Sequence, residues 1–310
     1  MVFVSPRRLI LAAKQHNLDG PRDVRDELAT TCTGALPPQP LAPMPTSCFA
    51  ETLLIEGADA MAFAHAQFSS KVSLLAIGQW QFSAWLNPQG RVRALFHLAR
   101  LADDSFLLLL RGGEASTMAN DLQRFVFRSK LALNSLPKRV LATGPAMPMH
   151  TTREEDGTLS LGCGAHSLRI SDSEMSDSEW RSLQLHAGWP WLPTQLLNEL
   201  LPAALSLQHL QAVAVDKGCY PGQEIVARLH FRSGHKRHLH SVTLSQPAAA
   251  GDVLRDDDRE VGHVLDVVAS NGGVEALVVL SDDLAARVGE DRLLTLDGNL
   301  ALHLNSSWPA

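Results

Sequence analysis

From Gln79 to Leu110 the chain reads QWQFSAWL, NPQG, RVRALFHLAR, LADD and SFLLLL, three largely apolar runs joined by two short turn sequences. In the middle run Val92, Ala94, Phe96 and Leu98 fall in phase, the period of a strand. Asn87-Pro88-Gln89-Gly90 is turn chemistry, with proline presetting φ and glycine tolerating positive φ. Upstream, ETLLIE (51–56) places Leu53 and Ile55 on one side, and Asp59 is a candidate N-cap for a helix AMAFAHAQF. Downstream, residues 114–127 carry Met118, Leu122 and Phe125 at helical spacing, and a further strand is predicted near Leu131. Strand, helix, three strands, helix predicts an α+β layer, not a doubly wound parallel sheet.

A chain of 310 residues is too long for one small core and predicts two or three domains. Residues 1–45 are expected to be an N-terminal arm and linker, ending in LPPQPLAPMP, where proline removes backbone donors. Residues 46–135 form the α+β unit above, and 136–235 a second one. In the second, Ser176 and Glu179 read as a capping box opening a helix to about Ala187. AVAV (212–215) predicts a short strand, and QEIVARL a helix after it. From 236 to 310, HLHSVTL, EVGHVLDVV and VEALVVL alternate between turns, which predicts a small β-barrel.

A net charge of −6 argues against duplex nucleic acid as the main ligand, because phosphate binding rests on a cationic excess. Cys32, Cys48, Cys163 and Cys219 never form C-x-x-C, which speaks against a sequence-local zinc or iron–sulfur site and fits a reducing compartment. No apolar run approaches the ~18–20 residues of a membrane span. No membrane partner is expected, and the chain reads as cytoplasmic.

One stretch concentrates special residue types: KGCYPGQE, residues 217–224. A thiolate is favoured by a nearby cation or a helix N-terminus, and Lys217 and a helix starting around Pro221 to Gln223 would supply both to Cys219. Gly218 and Gly222 would let the backbone turn sharply or approach a ligand, and Pro221 suits a turn corner. Glu224 suits the first helical turn, with Arg228 one turn later as an ion-pair partner. On these residues alone the stretch is either a functional thiol or a helix-start turn around a small buried cysteine.

KGCYPGQEIVAR (217–228) resembles the K-G-C-Y-x-G-Q-E motif of the YgfZ family, proteins similar to the folate-dependent T-protein (aminomethyltransferase) of the glycine cleavage system. IEGADAMAF (55–63), NPQGRV (87–92), HAGWP (186–190) and the C-terminal strands extend the resemblance more weakly. It implies a three-domain ring around a central channel that holds tetrahydrofolate or a derivative, with a small C-terminal β-barrel. It also implies a non-catalytic accessory role in assembly or repair of iron–sulfur enzymes, including radical enzymes that modify tRNA. Iron–sulfur client enzymes and assembly factors are the partners it implies. Cys219 becomes the functional thiol, supported by Lys217, Gly218, Tyr220, Gly222, Gln223, Glu224 and Arg228. Gln67, Ser69, His186 and Trp189 become the folate pocket.

The chain departs from the family pattern in several places. Ser69 and Lys71 stand in the family's G-Q-x-T-x-D/N, and His186 replaces the glutamate of E-A-G-x-P. Ala203 and Ser206 replace the two amides of P-Q-x-x-N. A carboxylate can accept from the pterin N–H edge, whereas a neutral imidazole offers one acceptor and one donor. Residues 90–94 (GRVRA) hold no acid where the T-protein has its catalytic aspartate. The alternative reading, a folate-dependent one-carbon transferase, therefore lacks its acid. A third, a thiol enzyme with Cys219 as nucleophile, lacks a paired base. His230, His235, His238 and His240 crowd the segment 228–240 with Arg228, Arg232, Lys236 and Arg237. They lack ordered ligand spacing, so no metal is expected, and an anionic ligand or tRNA suits Arg228–His240 better.

Overall fold

The computed structural model describes residues 49–172, 177–232, 235–270, 273–291, 294–296 and 300–308. The expected arm at 1–45 and the Ser176 half of the expected capping box lie outside them. A two-residue strand β1 (Phe49–Ala50) precedes β2 (Thr52–Glu56) and α1 (Ala60–Gln67). The meander follows as β3 (Gln79–Leu86), β4 (Val92–Ala102) and β5 (Ser105–Leu110), then α2 (Ala115–Leu122) and β6 (Ala132–Ser135). These make a five-stranded antiparallel sheet in the order β3-β4-β5-β2-β6. A second sheet runs β1-β7-β10-β9-β8, from β7 (Arg139–Gly144), β8 (Thr152–Glu155), β9 (Thr158–Gly162) and β10 (Ser167–Ser171). After α3 (Glu179–His186) a largely irregular stretch leads to α4 (Gln223–Arg232). The last sheet is antiparallel and six-stranded, ordered β12-β13-β14-β11-β16-β15. Its elements are β11 (Arg237–Leu244), β12 (Val253–Asp256), β13 (Arg259–Ser270), β14 (Gly273–Ser281), α5 (Asp282–Asp291), β15 (Leu294–Leu296) and β16 (Leu300–Trp308).

The first sheet is buried on both faces, which is why SFLLLL carries no polar alternation. One face packs Phe96, Leu98, Leu108 and Trp85 against α1 and α2 through Phe63, Met118 and Leu122. The other face packs Phe82, Leu95, Leu107 and Leu109 with Leu141 and Leu161 of the second sheet and Trp180, Leu185 and Trp189 of the α3 region. Val242, Leu244, Val264, Val278 and Leu302 fill a third core within the last sheet.

Four local expectations need correction. Ala212–Val215 is not a strand; its one inter-segment backbone bond, Ala214 N–H to Ser69 O at 2.8 Å, ties an irregular segment to a loop rather than to a strand edge. Asp59 sits at the N-cap of α1, yet its carboxylate accepts from Lys130 N at 2.6 Å instead of capping. α3 begins after Ser178, and Asp177 Oδ1 accepts from Glu179 N at 3.2 Å. The second helix is shorter than 114–127, ending at Leu122 and tightening into a 3₁₀ turn at Gln123–Phe125. No helix among the described residues is long and apolar enough to cross a membrane.

Two of the buried histidines are held neutral most strongly. His97 in β4 is fully buried beside Arg111, and desolvation first, then the guanidinium, push its pKa well down. Burial also lowers His240 in β11 to about 4, with His238 adding to the shift. A histidine held neutral in the native state binds its proton only on unfolding. Stability is therefore full above the unfolded value near 6.5 and falls as pH drops toward 4, by ~3 kcal/mol for His240 alone. Denaturant melts between pH 7 and 4.5 should show this loss, and His240→Asn should flatten it.

Candidate thiol site

The site is assembled on the C-terminal end of α1. The last carbonyls of a helix have no intrahelical partner and carry the negative end of its dipole, so a cation there satisfies both needs. Lys217 is that cation. Its Nζ donates to the carbonyl oxygens of His65 and Phe68, both at 2.6 Å, and of Ser70 at 2.9 Å. All three ammonium hydrogens are thereby spent on the backbone. Burial draws the Lys217 pKa down to about 8, while the three carbonyls favour the charged form that burial opposes. Lys217 also lies 5.1 Å from the Tyr220 ring centroid, a cation–π contact.

The segment leading to the motif is laced to the same loop. Ser69 Oγ donates to Ala212 O at 2.7 Å, and Lys71 pairs with Asp216 at 2.5 Å. The lysine that departs from the family pattern at position 71 therefore has its carboxylate partner four residues past Ala212. Tyr220, buried, donates its hydroxyl to Ala214 O at 2.9 Å, and Gln223 Nε2 donates to Lys217 O at 3.2 Å. These bonds close the motif into a loop that leaves Cys219 exposed.

Gly222 has a structural duty that no other residue can fill. Its φ is +77°, and a Cβ there would lie 2.6 Å from Asn87 O and 2.8 Å from Gly90 Cα. Gly90, at φ +74°, meets Ile225 Cβ at 2.8 Å in the same way. The NPQG turn of the meander and the cysteine motif therefore pack glycine to glycine, which sets where α4 starts. Gly218 has open space around its would-be Cβ, so close packing is not its reason. Glu224 lies in the first turn of α4, but among the described residues no ion pair joins it to Arg228. Both instead line an open cleft of about 500 Å³ with Ala227 and the exposed Phe231.

The four residues expected to hold folate are not free to do so as a set. Ser69 Oγ donates to Ala212 and accepts from Ala84 N at 3.0 Å. His186 Nε2 meets Glu275 Oε2 at 2.5 Å, so the carboxylate missing from position 186 is present on β14 but committed to the imidazole. Trp189 is buried, its ring 5.1 Å from Phe82 and 6.1 Å from Trp80. Gln67 alone retains a buried, unpartnered acceptor, Oε1. A pterin would need His186 released from Glu275 and Ser69 from Ala212, and these residues do not fit it as they stand.

Arg111, which follows SFLLLL, went unread in the sequence. It is fully buried with no acid in contact. Nε donates to Pro190 O at 2.9 Å, Nη2 to Trp189 O at 2.7 Å and Nη1 to Gln184 Oε1 at 2.8 Å. The guanidinium also lies 4.6 Å from the Trp191 ring centroid, and burial lowers its pKa to about 9. Arg111 thus fixes the HAGWP segment from below. A lone cation closing four leucines was the available signal.

Two members of the histidine-rich segment are ion-paired. His238 meets Asp282 at 2.6 Å and Arg237 meets Glu260 at 2.9 Å. Among the described residues no group of three or more His, Cys, Asp or Glu side chains is placed to hold a metal ion.

This architecture has a known counterpart. The crystal structure of glycine cleavage system aminomethyltransferase T from Bartonella henselae superposes with a TM-score of 0.62, covering 83% of each chain at 20% identity. The chain therefore has a T-protein-like aminomethyltransferase fold, of mixed helices and antiparallel sheets. No protein-family model matches it. Among curated proteins it is 28% identical over 242 residues to an uncharacterized protein of Haemophilus influenzae, covering 74% of this chain and 86% of that one. It is 32% identical over 209 residues to the tRNA-modifying protein YgfZ of Serratia proteamaculans, covering 62% and 61%. To the tRNA-modifying protein YgfZ of Sodalis glossinidius it is 26% identical over 303 residues, covering 81% and 91%. The chain is thus a relative of the YgfZ proteins, as the motif at 217–228 implied.

Two measurements check the geometry. Maleimide should label Cys219 rapidly in the native protein, while Cys163, buried and with its pKa pushed up to about 12 by burial, should react only on unfolding. Lys217→Met should cost roughly 2–4 kcal/mol in denaturant melts, because it strips three part-buried carbonyls of a charged donor.

Proposed function

We propose that this chain works in tRNA modification as a non-catalytic accessory protein, supporting assembly or repair of iron–sulfur enzymes through the Cys219 thiol. One observation carries the reading: Lys217, Tyr220, Gln223 and Gly222 are all spent on holding a loop whose exposed product is Cys219. The printed names of the Serratia and Sodalis relatives supply the tRNA context. A one-carbon transferase is disfavoured, because residues 90–94 hold no acid and Arg93 among them is tied to Asp121 at 2.5 Å. The reading takes units 46–135, 136–235 and 236–310 as a ring around a channel, closed by a C-terminal barrel, at work in the cytoplasm. It assigns no step to folate. Iron–sulfur clients and their assembly factors would meet the thiol from solvent, and Arg228 on α4, lining the cleft with Glu224, suits an anionic group on such a partner.

The test is complementation of a deletion strain with Cys219→Ala, reading thiolated tRNA nucleosides by mass spectrometry. The exposed position predicts a folded variant with nucleoside levels as low as the deletion. Levels equal to those with the unaltered chain would overturn the reading. Separately, tryptophan quenching by tetrahydrofolate should show no saturable micromolar phase, and His186→Glu should not restore one, since it sets a second carboxylate against Glu275.

A further inference from the structure

Residues 123–130, QRFVFRSK, leave the C-terminal end of α2 and carry three cations and no acid. Val126 turns into the core, while Phe127 is 86% exposed and Phe125 46% exposed. Two aromatic rings in solvent are costly unless something covers them. Arg128 lies 5.3 Å from the Phe127 ring centroid, so cation and ring form one flat face. Arg124 is held at the base of the patch by Asp121, which Arg93 also neutralises. Arg124, Arg128 and Lys130 stand beside two carboxylates, Asp121 and Asp59, the latter accepting from Lys130 N at 2.6 Å, which leaves a small local basic excess on a chain of net charge −6.

A pocket adjoins the patch. The Phe125 ring stands 6.4 Å from Trp85, and Trp85 helps line a cavity of about 330 Å³ with Arg93, Glu114, Thr117, Asp121 and Asn198. Its volume suits a nucleoside-sized group rather than a protein segment. The Arg93 guanidinium lies 4.0 Å from the Trp85 ring centroid, and Trp85 Nε1 is buried without a partner. Stacking faces, cations along one edge and a small cavity beside one buried, unpartnered donor suit a single-stranded nucleic acid. Duplex binding would need a broader positive field.

We propose that Phe125, Phe127 and Arg128 form a stacking platform for single-stranded RNA, with one base directed into the cavity beside Trp85. The proposal rests on the tRNA context of the function above and assigns the RNA a surface distinct from the Cys219 loop. A lipid surface and an apolar protein partner are the competing occupants. The basic residues on either side of the rings and the polar-lined cavity favour RNA over both.

Fluorescence anisotropy with a labelled single-stranded oligoribonucleotide of about a dozen nucleotides tests this directly. The full chain should bind the single strand better than the same strand annealed to its complement. Phe127→Ala should raise Kd about 5- to 100-fold, and Phe127→Trp should retain binding. Arg128→Gln should reduce the salt slope by about one. Unchanged affinity in Phe127→Ala, preference for the duplex, or no binding at all would overturn the proposal. So would Phe127-dependent binding to phosphatidylglycerol vesicles in place of RNA. The two readings fail separately. Absent RNA binding alongside a Cys219→Ala defect removes only the platform. Phe127-dependent RNA binding with no Cys219→Ala defect removes only the thiol reading.

Discussion

An ammonium group in a cage of three backbone carbonyls is the contact on which the site depends. Lys217 ends α1, closes the loop after it and anchors the chain two residues before Cys219. A helix C-terminus wants a positive charge, and a buried lysine wants acceptors, so each solves the other's problem. The thiol motif therefore carries its lysine for position. Any electrostatic benefit to Cys219 must come from a cation whose hydrogen bonds already point elsewhere.

Around that cage the departures from the family pattern are compensated locally. Lys71 finds Asp216, and His186 finds Glu275. Each pair ties the departing side chain to a carboxylate far away in the sequence. Arg111 completes the picture by holding the carbonyls of Trp189 and Pro190 without any acid of its own. The molecule keeps a T-protein-like fold while spending these polar groups on itself.

Much of this was legible in the sequence because the signals were local. NPQG and LADD fixed the meander, since turn chemistry needs no distant partner. The helix at Gln223 was legible from the glycine, proline and glutamate before and in its first turn. What escaped was non-local. The carbonyls that hold Lys217 lie 147 to 152 residues upstream, and nothing in KGCYPGQE names them. AVAV looked like a strand because β propensity is local, but a strand needs an edge to pair with, and that segment meets a loop. Gly222 was read as freedom to turn; its tighter constraint, Asn87 O at 2.6 Å, belongs to a turn 135 positions away by their residue numbers.

The most direct measurement is Gly222→Ala, assayed for thiolated tRNA nucleosides in cells and for melting of the purified chain. A Cβ at this position must displace the NPQG turn or the motif loop, while the Cys219 thiol itself is retained. If the loop's geometry is what makes the thiol useful, the variant loses nucleoside levels nearly as far as a chain lacking the cysteine. Melting would fall by roughly 1–3 kcal/mol, a folded protein still. Undiminished nucleoside levels in a variant destabilised to that extent would contradict the account, because the thiol would then work without the loop that presents it.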